Sequence, residues 1–381
     1  MIKVSAVKCN SYENIEVRKA LEESLKNIDF SFKKNLKVLI KPNIVYPIEP
    51  ETAIITNPVI IEELCKILKE HNVEIFIGES SMYETKKAFE ISGIEKLKKY
   101  AKIINFESED KQFFKINNQD VPLPKILFDV DLIINLPKLK THCLTLVTLC
   151  VKNLYGCVPG KLKEHYHKVF PSAEKISKFL SELHKTIKPE LNIIDGIEGL
   201  EGDGPTAGGK KIKSNLIITS KNAVAADIIA SEIIGFNPYD IFTNKFSNIE
   251  KKDILVIGDA KDLKLNFKKP SRISMTIPVL NFINNLLFKP KISFNHEKCI
   301  KCRRCEEKCP VKAISLSPWI CSLGFCSSLG FPECNHKNCI KCLCCIEICK
   351  QNAVSLEDNS VKKIIRKIYR KRVEMRNIYK A

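Results

Sequence analysis

Short unbroken apolar runs alternate along the chain with longer stretches in which apolar positions recur every three or four residues. Val4–Val7 and Leu36–Ile40 are runs of the first kind. Between them Ile15, Ala20, Leu21, Leu25 and Ile28 share one face of a helix over Glu13–Ile28. The alternation continues with a helix at Pro58–Glu70, a strand at Val73–Ile77, a helix at Thr85–Tyr100 and a strand at Lys102–Phe106. Strands alternating with helices predict an α/β domain built on a doubly wound, mostly parallel sheet. Phe113–Ile126 predicts a hairpin turning at Asn117–Asp120, and Asp131–Asn135, Leu191–Asp195, Asn215–Thr219 and Ile254–Ile257 predict further strands. Val224–Gly235 predicts a helix stopped by its glycine. This domain takes residues 1 to 265.

Residues 266–292 form a junction, with Ile277, Leu280, Ile283, Leu286 and Leu287 on one face of a connecting helix over Ser274–Phe288. Asn281, Asn284 and Asn285 favour packing on the large domain over lying in a membrane surface. The tail 359–381 has Val361, Ile364, Ile365, Ile368 and Tyr369 at helical spacing among basic residues. Of the formal net charge of +18, residues 361–381 carry 9 Lys+Arg against 1 acidic residue. That suits a nucleic acid, an anionic lipid surface or an acidic protein, but the favoured reading is a solvated helix docked by its apolar face. Few aromatic residues sit among the basic ones, which argues against stacking on single-stranded nucleic acid. No run of 18 apolar residues occurs, so no transmembrane segment is expected. No signal peptide opens the chain, so a cytoplasmic location is expected, with the 17 cysteines acting as metal ligands or small core residues rather than disulfides.

The cysteines then fix the second domain, 293–358. Cys299, Cys302, Cys305 and Cys309 follow a C-x2-C-x2-C-x3-C pattern, and Cys339, Cys342, Cys345 and Cys349 repeat it. This is the spacing that holds [4Fe–4S] clusters. Two-residue gaps turn three sulfurs inward from one tight loop, and the fourth cysteine points away. Zinc knuckles pair two C-x2-C units and need neither a third cysteine nor a fourth at fixed offset. The stretch resembles the bacterial two-cluster ferredoxin domain, except that Lys350 stands where that family has proline. The resemblance implies two [4Fe–4S] clusters with crossed ligands: Cys299, Cys302, Cys305 and Cys349 for one, Cys339, Cys342, Cys345 and Cys309 for the other. The insert 311–338 adds Trp319, Cys321, Cys326, Cys334 and His336, and Cys344 is a further spare thiol. A third metal site and free or redox-active thiols both fit that set.

In the large domain, polar clusters follow several expected strands, where ligands of open parallel sheets bind. They are Lys41-Pro42-Asn43, Gly78-Glu79-Ser80-Ser81, Leu136 to His142, and the glycine- and acid-rich run Asp195 to Gly209. Lys138, Lys140, Lys152 and Lys161 suit an anion, and Asp195, Glu198, Glu201 and Asp203 suit a hard cation. Ordinary turn chemistry explains any one of these clusters alone. These segments together resemble the family called domain of unknown function 362, often fused to a ferredoxin domain in anaerobes. The matching residues are Lys41-Pro42-Asn43, Thr56-Asn57-Pro58, Gly78-Glu79-Ser80, Asn135 to His142, Thr148, Lys152 to Gly156, Asp195-Gly196-Ile197 and Glu201 to Pro205. The resemblance implies an iron–sulfur redox protein and lends no reaction. The expected ligand cleft comprises Lys41, Asn43, Glu79, Ser80, Lys138, Asp195 and Glu201, with Lys140, His142 and Lys152 as catalytic candidates. A lone histidine such as His142 is as often a hydrogen-bonded structural residue. Cys143, Cys150 and Cys157 recur every seven residues, as buried hydrophobes on one helix face would.

The functional expectation is an iron–sulfur oxidoreductase that couples electron transfer to a reaction on a small anionic substrate, with a redox protein as partner. An electron carrier without substrate, and a nucleic-acid binder with structural clusters, are the alternatives.

Overall fold

The computed structural model describes residues 1–270, 291–321 and 324–357, with backbone alone over 317–321 and 324–329. The chain divides into two compact units, Met1–Ser271 and Arg272–Ala381. The connecting helix expected over 274–288 and the basic tail 359–381 lie outside the described residues.

The first unit is a mostly parallel sheet of ten strands flanked by helices, the doubly wound class expected. Its strands are β1 (Ile2–Lys8), β2 (Lys37–Pro42), β3 (Glu74–Glu79), β4 (Lys102–Asn105), β7 (Leu132–Leu136), β8 (Lys138–His142), β9 (Leu146–Thr148), β10 (Leu191–Gly202), β11 (Gly209–Ser220) and β12 (Ile254–Ile257). The hairpin β5 (Lys111–Ile116) and β6 (Gln119–Pro124) stands apart as its own ribbon. Along the main path the order is β12-β1-β11-β10-β7-β2-β3-β4. From β10 to β4 all neighbours run parallel, and β11 runs antiparallel to both β1 and β10.

Alternation along the strands explains why helices cover both faces. In β2, Leu39 joins one apolar cluster while Val38 and Ile40 join the other. Phe179, Leu183, Ile228 and Ile229 of helices Ala173–Ile187 and Ala223–Ile233 complete the first. Leu21, Leu25, Ile61 and Leu64 of helices Asn14–Asn27 and Pro58–Lys69 complete the second. The helix at Pro58 starts where its sequence says: Pro58 supplies no N–H, and Asn57 Oδ1 accepts from Val59 N at 3.0 Å.

Several elements differ from the expectation. The helix expected over Thr85–Tyr100 stops at Ile91, because Gly93 takes φ +80 and a 3-10 turn (Ile94–Lys99) follows. Lys138–His142 is a strand, and the run read as a loop from Asp195 is mostly the end of β10. Cys143, Cys150 and Cys157 share no helix; they lie on a turn, a helix (Cys150–Asn153) and a 3-10 turn (Leu154–Cys157), all buried.

The second unit is a small repeat with an offset of forty residues. β13 (Lys291–Phe294) pairs with β16 (Val354–Glu357), and β14 (Ile314–Cys321) pairs with β15 (Gly324–Cys334). Phe294↔Val354 in the first ladder matches Ile314↔Cys334 in the second. One-turn helices Arg304–Glu307 and Cys344–Glu347 occupy equivalent places. Much of the 311–338 insert is therefore the β14–β15 hairpin. Among the described residues no helix is long and apolar enough to cross a membrane.

Candidate functional site

The carboxyl ends of β2, β3 and β7 carry a buried polar network. Lys41 ends β2 and Glu79 ends β3, and their side chains form an ion pair with almost no exposure. Lys41 Nζ also donates to the Pro42 carbonyl at 2.9 Å and to Asn153 Oδ1 at 3.3 Å. Asn153 then donates to Asn135 Oδ1 at 2.8 Å, and Asn135 donates to Asn192 Oδ1 at 2.9 Å and to the Cys150 carbonyl at 2.9 Å. Asn43 Nδ2 donates to Asn153 Oδ1 at 2.8 Å, while Asn43 Oδ1 is buried without a hydrogen-bond partner. Gly156 is required here: a Cβ would collide with Glu79 Oε1 and Lys41 Nζ.

A second buried pair lies on β8 and β10. Lys138 Nζ meets Asp195 Oδ2 at 2.9 Å and Tyr12 Oη at 2.6 Å, and the Tyr12 hydroxyl donates to Asp195 Oδ1 at 2.8 Å. Asn57 N also donates to Asp195 Oδ2, at 3.0 Å. Burial lowers the Lys138 pKa, and burial together with Asp195 raises that of Tyr12. Beyond them Lys140 Nζ donates to the Ile54 carbonyl at 2.7 Å. His142 Nδ1 accepts from Leu144 N at 3.0 Å, which puts the proton of the neutral ring on Nε2.

Ser80 meets a lysine that carried no signal in the sequence. Lys163 Nζ donates to the Ser80 carbonyl at 2.6 Å and to its Oγ at 3.1 Å, and burial pulls its pKa down to about 8. The structure thus brings Lys41, Asn43 and Glu79 together and pairs Lys138 with Asp195. Glu201 is held apart, accepting from Lys268 N at 2.8 Å, and Lys152 lies 5.6 Å over the Tyr155 ring. Lys138, expected to face an anion, is instead paired with Asp195, and Lys41 of the expected cleft is paired with Glu79. Tyr12, Asn153 and Lys163 were absent from the expected cleft. Asn153 lies within the quoted Lys152 to Gly156 segment; nothing marked the other two.

In the second unit, each cysteine loop is shaped by left-handed backbone at equivalent positions. Lys301, Arg303 and Lys312 have φ of 55, 62 and 51, and Lys341, Leu343 and Asn352 have 57, 65 and 48. Asn295 and Asn335 accept with their carbonyls from Cys299 N and Cys339 N, both at 3.1 Å. The fourth cysteine of each motif accepts a backbone N–H: Ala313 N to Cys309 Sγ at 3.1 Å, Ala353 N to Cys349 Sγ at 3.3 Å.

Two cavities follow. One, of about 260 Å³, is lined by Cys299, Cys302, Cys305 and Cys349. The other, tighter at about 20 Å³, is lined by Cys309, Cys339, Cys342 and Cys345 together with Cys344. Among the described residues no three His, Cys, Asp or Glu side chains converge as a lone metal ion requires. A cubane spreads its four thiolates over four irons, so sulfurs around a cavity suit it better than convergence. The donor set and room of the first cavity fit such a group; the second has the same donors in less room. Of the insert's extra candidates, Cys334 lies against Cys339 and Cys309, with burial pushing its thiol up to about 12, and His336 is exposed. Cys321 and Cys326 have no described side chains.

Comparison with known proteins assigns both units. Residues 38–232, just over half of the chain, match the family model described as a domain of unknown function, DUF362. The chain belongs to the DUF362 family. Residues 292–315 of this DUF362 protein match a 4Fe-4S binding domain, which makes it an iron–sulfur protein. A thylakoid-associated protein of Synechocystis sp. is 31% identical over 247 residues, covering 63% of this chain and 77% of its own. The lactate racemase apoprotein of Thermoanaerobacterium thermosaccharolyticum is similar at 16% identity with a TM-score of 0.42. That match takes in 62% of this chain and 57% of the other, less than two thirds of its length.

Proposed function

We propose that this DUF362 protein holds two [4Fe–4S] clusters and passes electrons between a partner protein and a redox reaction in its α/β unit. The observation that carries the reading is the forty-residue repeat of the second unit. It gathers Cys349 with the first three cysteines, and Cys309 with the second three, around separate cavities. When bound, such clusters supply one-electron steps; the chain supplies thiolate ligands, N–H donors to sulfur and burial, which set the potentials.

For the α/β unit we propose a small substrate at the carboxyl ends of the strands, the position ligands take in open parallel sheets. Support comes from the polar side chains gathered there and from the unpartnered Asn43 Oδ1. Of the lysines read from the sequence as anion ligands, we carry forward Lys140 of β8, whose buried ammonium donates to the Ile54 carbonyl at 2.7 Å. The many free cysteines support a reducing compartment, and we propose the cytoplasm.

The test is an anaerobic screen for small molecules that reoxidise the reduced protein. A hit whose rate falls in Lys140→Ala, with iron content unchanged, supports a substrate in the α/β unit. Reoxidation by redox proteins alone makes the chain an electron carrier.

A further inference from the structure

The two halves of the second unit share a backbone but not an environment. Residues 299–309 carry a net charge of +2, against zero for the equivalent 339–349. The first cavity is lined by Lys301, Arg303, Arg304 and Lys350, the second, among the described residues, by the single cation Lys341. At equivalent positions Arg303 gives way to Leu343, and Arg304 to Cys344. Arg303 is oriented by Glu306 at 2.8 Å and is itself exposed.

Access to solvent differs in the same direction. Cys302 is exposed, whereas its equivalent Cys342 is 7% exposed. Cys305 is half-buried, and its equivalent Cys345 is 7% exposed. Beside the first cavity Ile300 is 64% exposed, a large apolar side chain set among cations.

Reduction adds one negative charge to a centre. Nearby cations and water stabilise that charge, and burial among apolar groups opposes it. Both differences therefore favour reduction of the first centre over the second. An exposed centre is also the one a partner can approach closely, and a cationic rim draws an acidic one.

We propose that the centre held by Cys299, Cys302, Cys305 and Cys349 is the electron port, higher in potential than its twin and shaped to meet an acidic redox protein. This rests on the two-cluster reading above. Electrons equilibrate between the centres and leave from the first.

The test uses the full chain, reconstituted anaerobically, with about eight irons confirmed first. The reduced protein is mixed with tris(oxalato)cobaltate(III), an anion, or hexaamminecobalt(III), a cation. One electron leaves the protein, cobalt(III) becomes cobalt(II), and no proton moves. As salt is raised, the rate with the anion should fall and that with the cation should rise, so that their ratio drops about tenfold or more. R303Q/R304Q should shrink that ratio and lower the higher of the two midpoint potentials, with iron unchanged. Lys350→Gln should move both readouts the same way by less. K33Q/K34Q, which removes the same charge from exposed positions of the α/β unit, should leave both readouts as in the wild type. Full iron with an unchanged ratio and potential in both rim variants overturns the port alone. Iron far below eight overturns the two-cluster reading and the port with it.

Discussion

Lys138 Nζ lies 2.9 Å from Asp195 Oδ2, and neither side chain reaches solvent. A buried pair of this kind is costly to break from one side, because the remaining charge has neither water nor a counter-ion. Lys138→Met should therefore destabilise the α/β unit by about 3–5 kcal/mol. The double variant K138M/D195L should recover part of that loss, the rest being the Tyr12 hydroxyl and Asn57 N–H left without their acceptor. Denaturant titration of all four members of the cycle measures the coupling; additive losses would show the pair to be independent.

Gly156 tests the other pair. Any side chain there pushes into Glu79 and Lys41, both fixed by further hydrogen bonds. Gly156→Ala should cost about 1–3 kcal/mol, the range for overpacking a dense interior. The iron content of the second unit should stay as in the wild type.

Buried Asp227 and half-buried His184 give opposing pH dependences. Asp227 accepts from Cys150 N at 2.7 Å and Val151 N at 3.0 Å, yet burial pushes its carboxyl from 3.8 up to about 7. Folded Asp227 then keeps a proton that the unfolded chain has lost, so its contribution is full below pH 3.8 and vanishes as pH rises to about 7. Burial lowers His184 from 6.5 to about 4, so the unfolded chain takes up that proton first. Its contribution is full above pH 6.5 and is lost as pH falls towards 4. Asp227→Asn should make the loss of stability on acidification steeper, besides a constant cost of about 1–3 kcal/mol for the unsatisfied N–H. His184→Gln should make it shallower. Denaturation midpoints between pH 4 and 7 check both slopes.

Much of this architecture was legible in local pattern. Apolar runs marked β2, β3, β7 and β12 to within a few residues, and Asn57-Pro58 marked a helix start by its own chemistry. The cysteine spacing was legible because a cluster needs ligands at fixed offsets. The end of β10 was not, because Gly196, Gly199 and Gly202 read as a loop. In the fold Gly196 and Gly199 admit close neighbours, a Cβ at Gly196 standing 2.9 Å from the Leu216 carbonyl oxygen, while Gly202 takes φ +78. The pairing of lysines was also illegible. Lys41 meets Glu79 only because β2 and β3 are adjacent, and Tyr12 meets Asp195 across 183 positions of sequence. Composition shows that such charges exist and not that they cancel.

Crossed ligation predicts how cysteine variants sort. Cys302→Ser and Cys349→Ser should alter one paramagnetic signal of the reduced protein, and Cys342→Ser and Cys309→Ser the other. If Cys349→Ser sorts with Cys342→Ser, each motif closes its own cluster and the crossing is refuted.

The most direct measurement is the metal content of the full chain after anaerobic purification and reconstitution. Two interlocked centres require about eight irons per chain and a reduced spectrum showing two interacting spins. About four irons with a single isolated spin, or zinc bound by the same thiols, would contradict the account.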